Sequence, residues 1–244
     1  MPLPLEKILN DAPVGSIDEA ITVMTAVDET LPDDDGVKWF NRLYLRVTVG
    51  VEGAVKGAMF LDPAFLSELD VVFANQYFSA LASGLTNSEN APAAWRPLLR
   101  ARRNKGIARF QFALAGMNAH INRDLPAGIV QSFHSLGGDP IGDQTRKRDF
   151  DSVNDLLERV ESEVKRDFAV GAIEVVDKLD GPIDDAVAMW NVRAARSAAW
   201  TNACVLWGLG ALPLVRDEFF GRLDALVGMG SRALLLPIDR ATVA

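Results

Sequence analysis

Helix-start signals followed by apolar residues at helical spacing recur along the whole chain. Ser16 with Glu19 three residues later has the pattern of a capping box, and Asp62 directly before Pro63 is a typical helix start. Apolar residues then return every three or four positions, which is the period of one helix face. Because no secure strand pattern competes with this period, the sequence predicts an all-α fold, a single-domain bundle of roughly eight helices.

Breaks rich in proline, glycine and aspartate separate the predicted helices. Part of the stretch 37–55 also alternates like a strand, so a strand stays an alternative to the favoured helix there. Pro126 is expected to end one helix and start another, and residues 137–149 are expected to form the longest loop, a candidate lid. Helices are then predicted over 150–179, 181–209 and 215–236. The single domain is expected to span 1–244, with an arm at 1–15 and a tail at 237–244.

Composition and charge exclude several classes of protein. With 49% hydrophobic residues the chain is globular, and its net charge of −8 makes nucleic acid an unfavourable partner. The single cysteine, Cys204, can form no intramolecular disulfide and reads as inert core. Neither a signal peptide nor a transmembrane segment is indicated, so a cytoplasmic location is expected. The oligomeric state stays open, a homodimer included.

The stretch "GMNAHINRDLP" carries more polar side chains than the end of an apolar helix needs. At about 100° per residue, Gln111, Asn118 and Asn122 share one face of the predicted helix. His120 and Asp124 lie near the opposite face. Buried amides and imidazoles need hydrogen-bond partners, so we expect this helix to contact two different sets of neighbours.

Partners for these groups are sought on other predicted helices. Arg193 falls in a stripe with tryptophans, so it is expected to be buried there and to pair with the carboxylate of Asp70, Asp124 or Asp151. Asp151 is a candidate partner and also a candidate helix cap. The tryptophans of the stripe are more readily explained as core than as a platform for a ligand. The candidate partner residues are Asp70, Asn75, Asp151, Asn154, Trp190 and Arg193.

Three interpretations of His120 and Asp124 remain open. The pair is a structural hydrogen bond, a pair of ligands to one metal ion, or an acid–base pair. The metal interpretation is weakened because His134 is the only other histidine of the chain and lies one helix later. Phosphate-binding glycine loops, nucleophile elbows and paired Glu-x-x-His motifs are absent from the sequence.

An enzyme that needs no cofactor and acts on a small, largely apolar molecule is therefore expected. His120 would be the acid or base, supported by Asp124 and Asp70. The substrate-binding residues would be Gln111, Asn118, Asn122, Arg193, Asn75, Asp151 and Trp190. Isomerisation, cyclisation, dehydration and hydrolysis need only such groups. A single-metal hydrolase at His120 and Asp124, and a non-catalytic binding or scaffold protein with a structural polar core, are the alternatives.

The stretches "WFNRLYLRVT", "LDVVFANQYF", "FALAGMNAHINRDLP", "DFDSVNDLL" and "MWNVRAARSAAW" together carry a resemblance. The chain resembles an uncharacterised family of helical proteins, common in actinomycetes, from about residue 36 to about residue 236. The resemblance implies a single all-helical domain and no stated activity. Its motif falls on Asn118, His120, Asn122 and Asp124. The His120-x-x-x-Asp124 spacing is also similar to that of zinc-dependent phospholipase C and related nucleases, which need more histidines than this chain has.

Overall fold

Helices build all of the regular structure in the residues described. The computed structural model describes residues 5–9, 12–158 and 191–237, and no strand occurs within these ranges. The all-α fold predicted from the sequence is confirmed. The helices are α1 (Leu5–Leu9), α2 (Ile17–Thr30), α3 (Gly36–Lys56), α4 (Pro63–Gly84), α5 (Arg96–Ala101), α6 (Arg109–Ala119), α7 (Leu125–Leu136), α8 (144–158), α9 (Val192–Gly208) and α10 (Pro213–Leu234).

Side-chain caps begin two of the long helices where the sequence predicts them. The Ser16 hydroxyl accepts the backbone N–H of Glu19 at 3.2 Å, and the Glu19 carboxylate accepts the N–H of Gly15 at 2.7 Å. Asp62 accepts the N–H of Phe65 at 3.0 Å, with Pro63 at the first helical position. The stretch with the strand-like alternative is helical throughout, as part of α3.

Pro126 does not separate two helices, which corrects the prediction made at this position. Helix α6 passes into α7 through a π turn over His120–Asp124. The N–H of Leu125 bonds to the carbonyl of His120, five residues back rather than four. A proline inside a regular α-helix lacks a donor and clashes with the carbonyl four residues earlier. A wider turn directly before Pro126 accommodates it without a break.

The predicted loop over 137–149 is only half as long in the structure, because α8 already begins at residue 144. Arg146 donates to the carbonyl of Gly137 at 2.6 Å and to Asp62 at 2.8 Å. Trp200 donates to the carbonyl of Pro140 at 3.2 Å. These bonds tie the connection down at both ends, so the lid expectation gains no support. The helices predicted over 150–179 and 181–209 also include residues 159–190, which lie outside the described residues.

Two large hydrophobic clusters form most of the core, and a small third one holds Leu43 and Ala113. One cluster packs α2, α3, α4 and α5 around Phe40 and Trp95, and the other packs α4, α7, α8 and α9 around Phe133 and Trp200. Met117 of α6 is in contact with both. The π turn therefore lies where the two clusters meet, and polar groups on it are held among apolar side chains.

The described part of the N-terminal arm belongs to the first cluster. Ile8, Leu9 and Val14 are buried there. The Asn75 amide fixes the arm to α4, since it accepts the N–H of Val14 at 2.8 Å and donates to its carbonyl at 2.9 Å. None of the described helices is both long enough and apolar enough to cross a membrane.

Close packing at the start of the π turn gives a first prediction. A Cβ atom at Gly116 would lie 2.4 Å from the ring of Phe40. The contact is with the part of the buried ring nearest the backbone, which cannot move away easily. Gly116→Ala is therefore expected to lower the free energy of unfolding by about 1–3 kcal/mol. Gly53→Ala is the control, since it has open space around its Cβ and should gain up to about 1 kcal/mol of helix propensity. Urea denaturation of both variants checks this, and equal stability of the two would contradict the packing.

Candidate functional site

The π turn brings His120 and Asp124 together in the core. The His120 Nδ1 and Asp124 Oδ2 atoms are 3.0 Å apart, and the two residues are 2% and 0% exposed. The wide turn sets the rotation between residues four positions apart. The His120 ring faces Tyr44 of α3 and Phe73 of α4, and Asp124 faces Trp95, which directly precedes α5. π turns of this kind are frequent at functional sites.

The carboxylate of Asp124 accepts hydrogen bonds from three side chains. Trp95 Nε1 donates to Oδ2 at 2.9 Å, His120 donates to the same oxygen, and Arg123 donates to Oδ1 at 2.7 Å. Arg123 in turn contacts Gln76 at 3.2 Å and Asp224 at 3.6 Å. Asp124 is thus the centre of a buried network that fixes the imidazole ring in place.

The hydrogen bond to Asp124 decides which nitrogen of His120 carries the proton. A carboxylate oxygen that already receives the Trp95 N–H accepts only, so Nδ1 is the donor and Nε2 bears the lone pair. Burial lowers the pKa of His120, and this effect exceeds the opposite effect of Asp124. The imidazole is consequently neutral at pH 7. Its Nε2 atom is buried and has no hydrogen-bond partner among the described residues.

Aromatic rings surround the imidazole. The Phe73 ring stacks on it, with centroids 3.4 Å apart and planes 6° apart. Tyr44 meets it edge to face at 4.5 Å and Phe40 at 5.6 Å. Phe73 is only half-buried, so one side of its ring covers His120 while the residue reaches the surface.

Other buried polar atoms lie on the elements that pack against His120. Asp70 Oδ2 has no hydrogen-bond partner among the described residues, the Tyr44 and Thr48 hydroxyls have none except each other, and Arg123 Nε lies 3.6 Å from Asp224 Oδ1. Burial raises the pKa of Asp70 to about 7. Burial also raises the pKa of Tyr44 well above its usual value. The charge of Asp70 adds to this shift, and a hydrogen bond with the Thr48 hydroxyl partly offsets it. Tyr44, Thr48, Asp70 and His120 are called the polar cluster below.

Sequence reasoning singled out Asp70 and His120 but missed the other two members of the polar cluster. Tyr44 fits the apolar stripe of α3, and nothing local marks its hydroxyl as unusual. The available signal was spacing, because Tyr44 and Thr48 are four residues apart and therefore share one helix face.

The amide side chains lie on the other face of the helix, as the rotation per residue predicts. Gln111 donates to the carbonyls of Leu234 and Leu236 at 2.8 and 2.7 Å. Asn118 donates to the carbonyl of Val227 at 3.0 Å and accepts from Asn122 at 3.0 Å. Gln111 and Asn118 thus bind α10 and the residues directly after it, and Asn122 binds Asn118. Their assignment to the substrate stays a prediction.

The expectation of a buried Arg193 is wrong. Arg193 is exposed and pairs with Asp155 at 3.2 Å and Glu158 at 2.6 Å, not with Asp70, Asp124 or Asp151. Arg196 occupies the buried position instead.

Arg196 is held by two residues of α8 through three contacts. It donates to Asn154 and to the carbonyl of Phe150, both at 2.8 Å, and lies 4.0 Å from the Phe150 ring centroid. Burial lowers the pKa of Arg196 to about 10. The packed face of α9 is therefore rotated relative to the predicted stripe, although Trp200 belongs to both.

The remaining candidates are dispersed. Asp151 lies inside α8 rather than at its start and pairs with Lys147, which corrects its expected role as a cap. Asn75 is engaged with the N-terminal arm, and Trp190 lies outside the described residues. His134 is exposed beside Trp207. Cys204 is half-buried with its sulfur 3.6 Å from the carbonyl of Pro140, and burial raises its pKa.

The candidate metal ligands do not converge either. Within the ranges that the structure describes, no group of three or more histidine, cysteine, aspartate or glutamate residues could hold a metal ion. His120 Nδ1 and Asp124 face each other rather than a common point, and Asp151 is at the surface.

Fold and site together define an all-α protein with an Asp–His pair buried at a π turn. Residues 17–237 match a family described as a family of unknown function, DUF5995, and the chain belongs to that family. No curated protein and no solved structure matches the chain.

Proposed function

We propose that the protein is a small-molecule enzyme that works by acid–base catalysis at the polar cluster between α3, α4 and the π turn. The observation that supports this most is the concentration of unpartnered polar atoms there. His120 Nε2 and Asp70 Oδ2 are buried without a hydrogen bond among the described residues, and the buried Tyr44 and Thr48 hydroxyls have no partner there except each other.

Such an arrangement is costly for a purely structural core. A buried polar atom without a partner costs about 1–3 kcal/mol, and here His120 Nε2 and Asp70 Oδ2 are two such atoms on neighbouring elements. A structural histidine usually has partners for both ring nitrogens. His120 has one nitrogen firmly bound to Asp124 and the other free, which is the state of a general base before it meets a substrate.

The proposed chemistry uses the two titratable groups in different roles. His120 Nε2 takes a proton from the bound molecule, and Asp124 stabilises the imidazolium that forms. Asp70, whose pKa is about 7, holds the polar end of the molecule and exchanges a proton with it near neutral pH. Groups whose environments shift their pKa values in this way are common in active sites. The reaction would be an isomerisation, cyclisation, dehydration or hydrolysis in the cytoplasm.

Entry to the polar cluster is proposed to occur at Phe73. This ring covers His120 and is itself half-buried, so a rotation of one side chain would expose the imidazole. The Tyr44 and Phe40 rings would then form the walls around an apolar substrate.

Comparison of the wild type with His120→Asn in a metabolite extract of the source organism tests the proposal. Asparagine keeps an N–H donor for Asp124 but provides no base. The wild type should deplete one or more compounds, measured by mass spectrometry, and His120→Asn should do so about 10²–10⁴-fold more slowly.

Two controls make the comparison decisive. Glu218→Gln, at an exposed ion pair, should convert the same compounds at the wild-type rate. Circular dichroism should show His120→Asn to be folded. Equal conversion by wild type and folded His120→Asn, or no conversion by either, would count against an enzyme with a base at this position.

A further inference from the structure

We propose that the polar cluster binds a primary ammonium group, so that the small molecule is an amine in its protonated form. This inference rests on the proposed function, since it names the substrate class of that same site. The argument comes from counting donors and acceptors, from the sign of the surrounding charges, and from the rings.

The polar cluster is rich in acceptors. Nε2 of His120 can only accept, because Nδ1 holds the ring proton. Oδ2 of Asp70 accepts when the carboxyl group is ionised, and the Tyr44 and Thr48 hydroxyls can accept or donate. A ligand that meets these needs must bring several N–H or O–H donors. An ammonium group has three donors and no acceptor.

The charges around the polar cluster favour a cation. Asp70 and Asp124 are negative charges that act on the Tyr44 hydroxyl. Burial alone shifts Asp70, with no cation acting on it. Arg123 is engaged with Asp124 and Asp224. An anionic ligand would be repelled here, whereas an ammonium group would compensate the buried carboxylate of Asp70.

The aromatic rings support the same choice. Tyr44 lies next to both His120 and Phe73, with ring centroids 4.5 and 5.6 Å away. A cation held beside Asp70 would have these rings within reach, and a ring face attracts a cation more strongly when water is excluded.

Nitrogen NMR of protein labelled with ¹⁵N-histidine tests the inference, because the chain has two histidines and His134→Ala assigns the signals. Methylamine and benzylamine are the cationic probes, and methanol and benzyl alcohol are their neutral counterparts. At about pH 8 both amines are protonated and Asp70 is ionised. We expect at least one amine to shift the Nε2 signal of His120 and to leave His134 unchanged, with each alcohol binding at least tenfold more weakly.

Asp70→Asn supplies the matched variant. Loss of a charged hydrogen bond of about 1.5–3 kcal/mol should weaken amine binding about tenfold or more, while Glu218→Gln should bind like the wild type. Binding of an alcohol as tightly as its amine, or amine binding unchanged by Asp70→Asn, would overturn the ammonium inference and leave the proposed enzyme standing. No shift with any probe would overturn it as well, and would indicate a cluster satisfied by water. The metabolite experiment judges the proposed function separately.

Discussion

Asp70→Asn is expected to make the protein more stable above neutral pH, although it alters a buried residue. Asp70 is 7% exposed, and burial raises its pKa from 3.8 to about 7. At pH 8 the folded protein therefore contains a buried carboxylate that water would solvate better in the unfolded chain. At 1.36 kcal/mol per pKa unit, removal of this charge should raise the free energy of unfolding by up to about 4 kcal/mol.

The raised pKa of Asp70 defines the pH range in which the stability of the wild type changes. Between pH 3.8 and about 7 the folded state keeps a proton on Asp70 that the unfolded state has released. The stability of the wild type should therefore fall as pH rises through this window and be insensitive to Asp70 above it. His120 acts in the opposite direction, because its lowered pKa makes the unfolded state bind more protons in acid. That contribution is common to both proteins and cancels in their difference.

Urea denaturation of wild type and Asp70→Asn from about pH 4 to pH 8 measures this difference. The two should be similar near pH 4, where the carboxyl group is neutral, and should diverge as pH rises. Glu218→Gln, on the exposed face of α10, should stay within about 0.5 kcal/mol of wild type throughout. Parallel curves for wild type and Asp70→Asn would show that the Asp70 carboxylate has a partner in the folded protein.

Helix starts could be read from the sequence because they depend on neighbouring residues. The Ser16 box and the Asp62 cap use side chains within three or four positions of the N–H groups that they bind. The separation of the amides from His120 and Asp124 is equally local, since it follows from the rotation per residue along one helix. These features require no knowledge of what packs against them.

The predictions that were wrong concern features that depend on residues far away in the sequence. In "NVRAARSAAW" small residues lie on every side, so the apolar period does not fix which face is buried. Contacts with Asn154 and Phe150 of α8 select Arg196 over Arg193. The π turn is a similar case, because proline is compatible with either a break or a wider turn and the surrounding core decides between them. Tyr44 and Thr48 could be assigned to the site only from the structure, because their surroundings depend on other helices.

Asp124→Ala is expected to be the most destabilising single change at the site. It removes the acceptor for Trp95, His120 and Arg123 at once. Trp95 and His120 are each 2% exposed, so water cannot replace the lost oxygen atoms. Breaking a buried charged pair by removing one partner costs about 3–5 kcal/mol, and we expect a loss in that range by urea denaturation.

Asp124→Asn removes the negative charge of the side chain and keeps its shape. The amide has nearly the same volume and one oxygen that can still accept, but its NH₂ group faces donors that the carboxylate bound. We expect a loss of about 1–3 kcal/mol, smaller than for alanine. An exposed pair shows what a carboxylate contributes without burial, because Glu218→Ala at the Arg222 pair should cost less than about 1 kcal/mol. If Asp124→Ala lowered the free energy of unfolding no more than Glu218→Ala, the Asp124 carboxylate would not organise the core. The argument that Asp124 holds His120 in the orientation of a base would then fail as well.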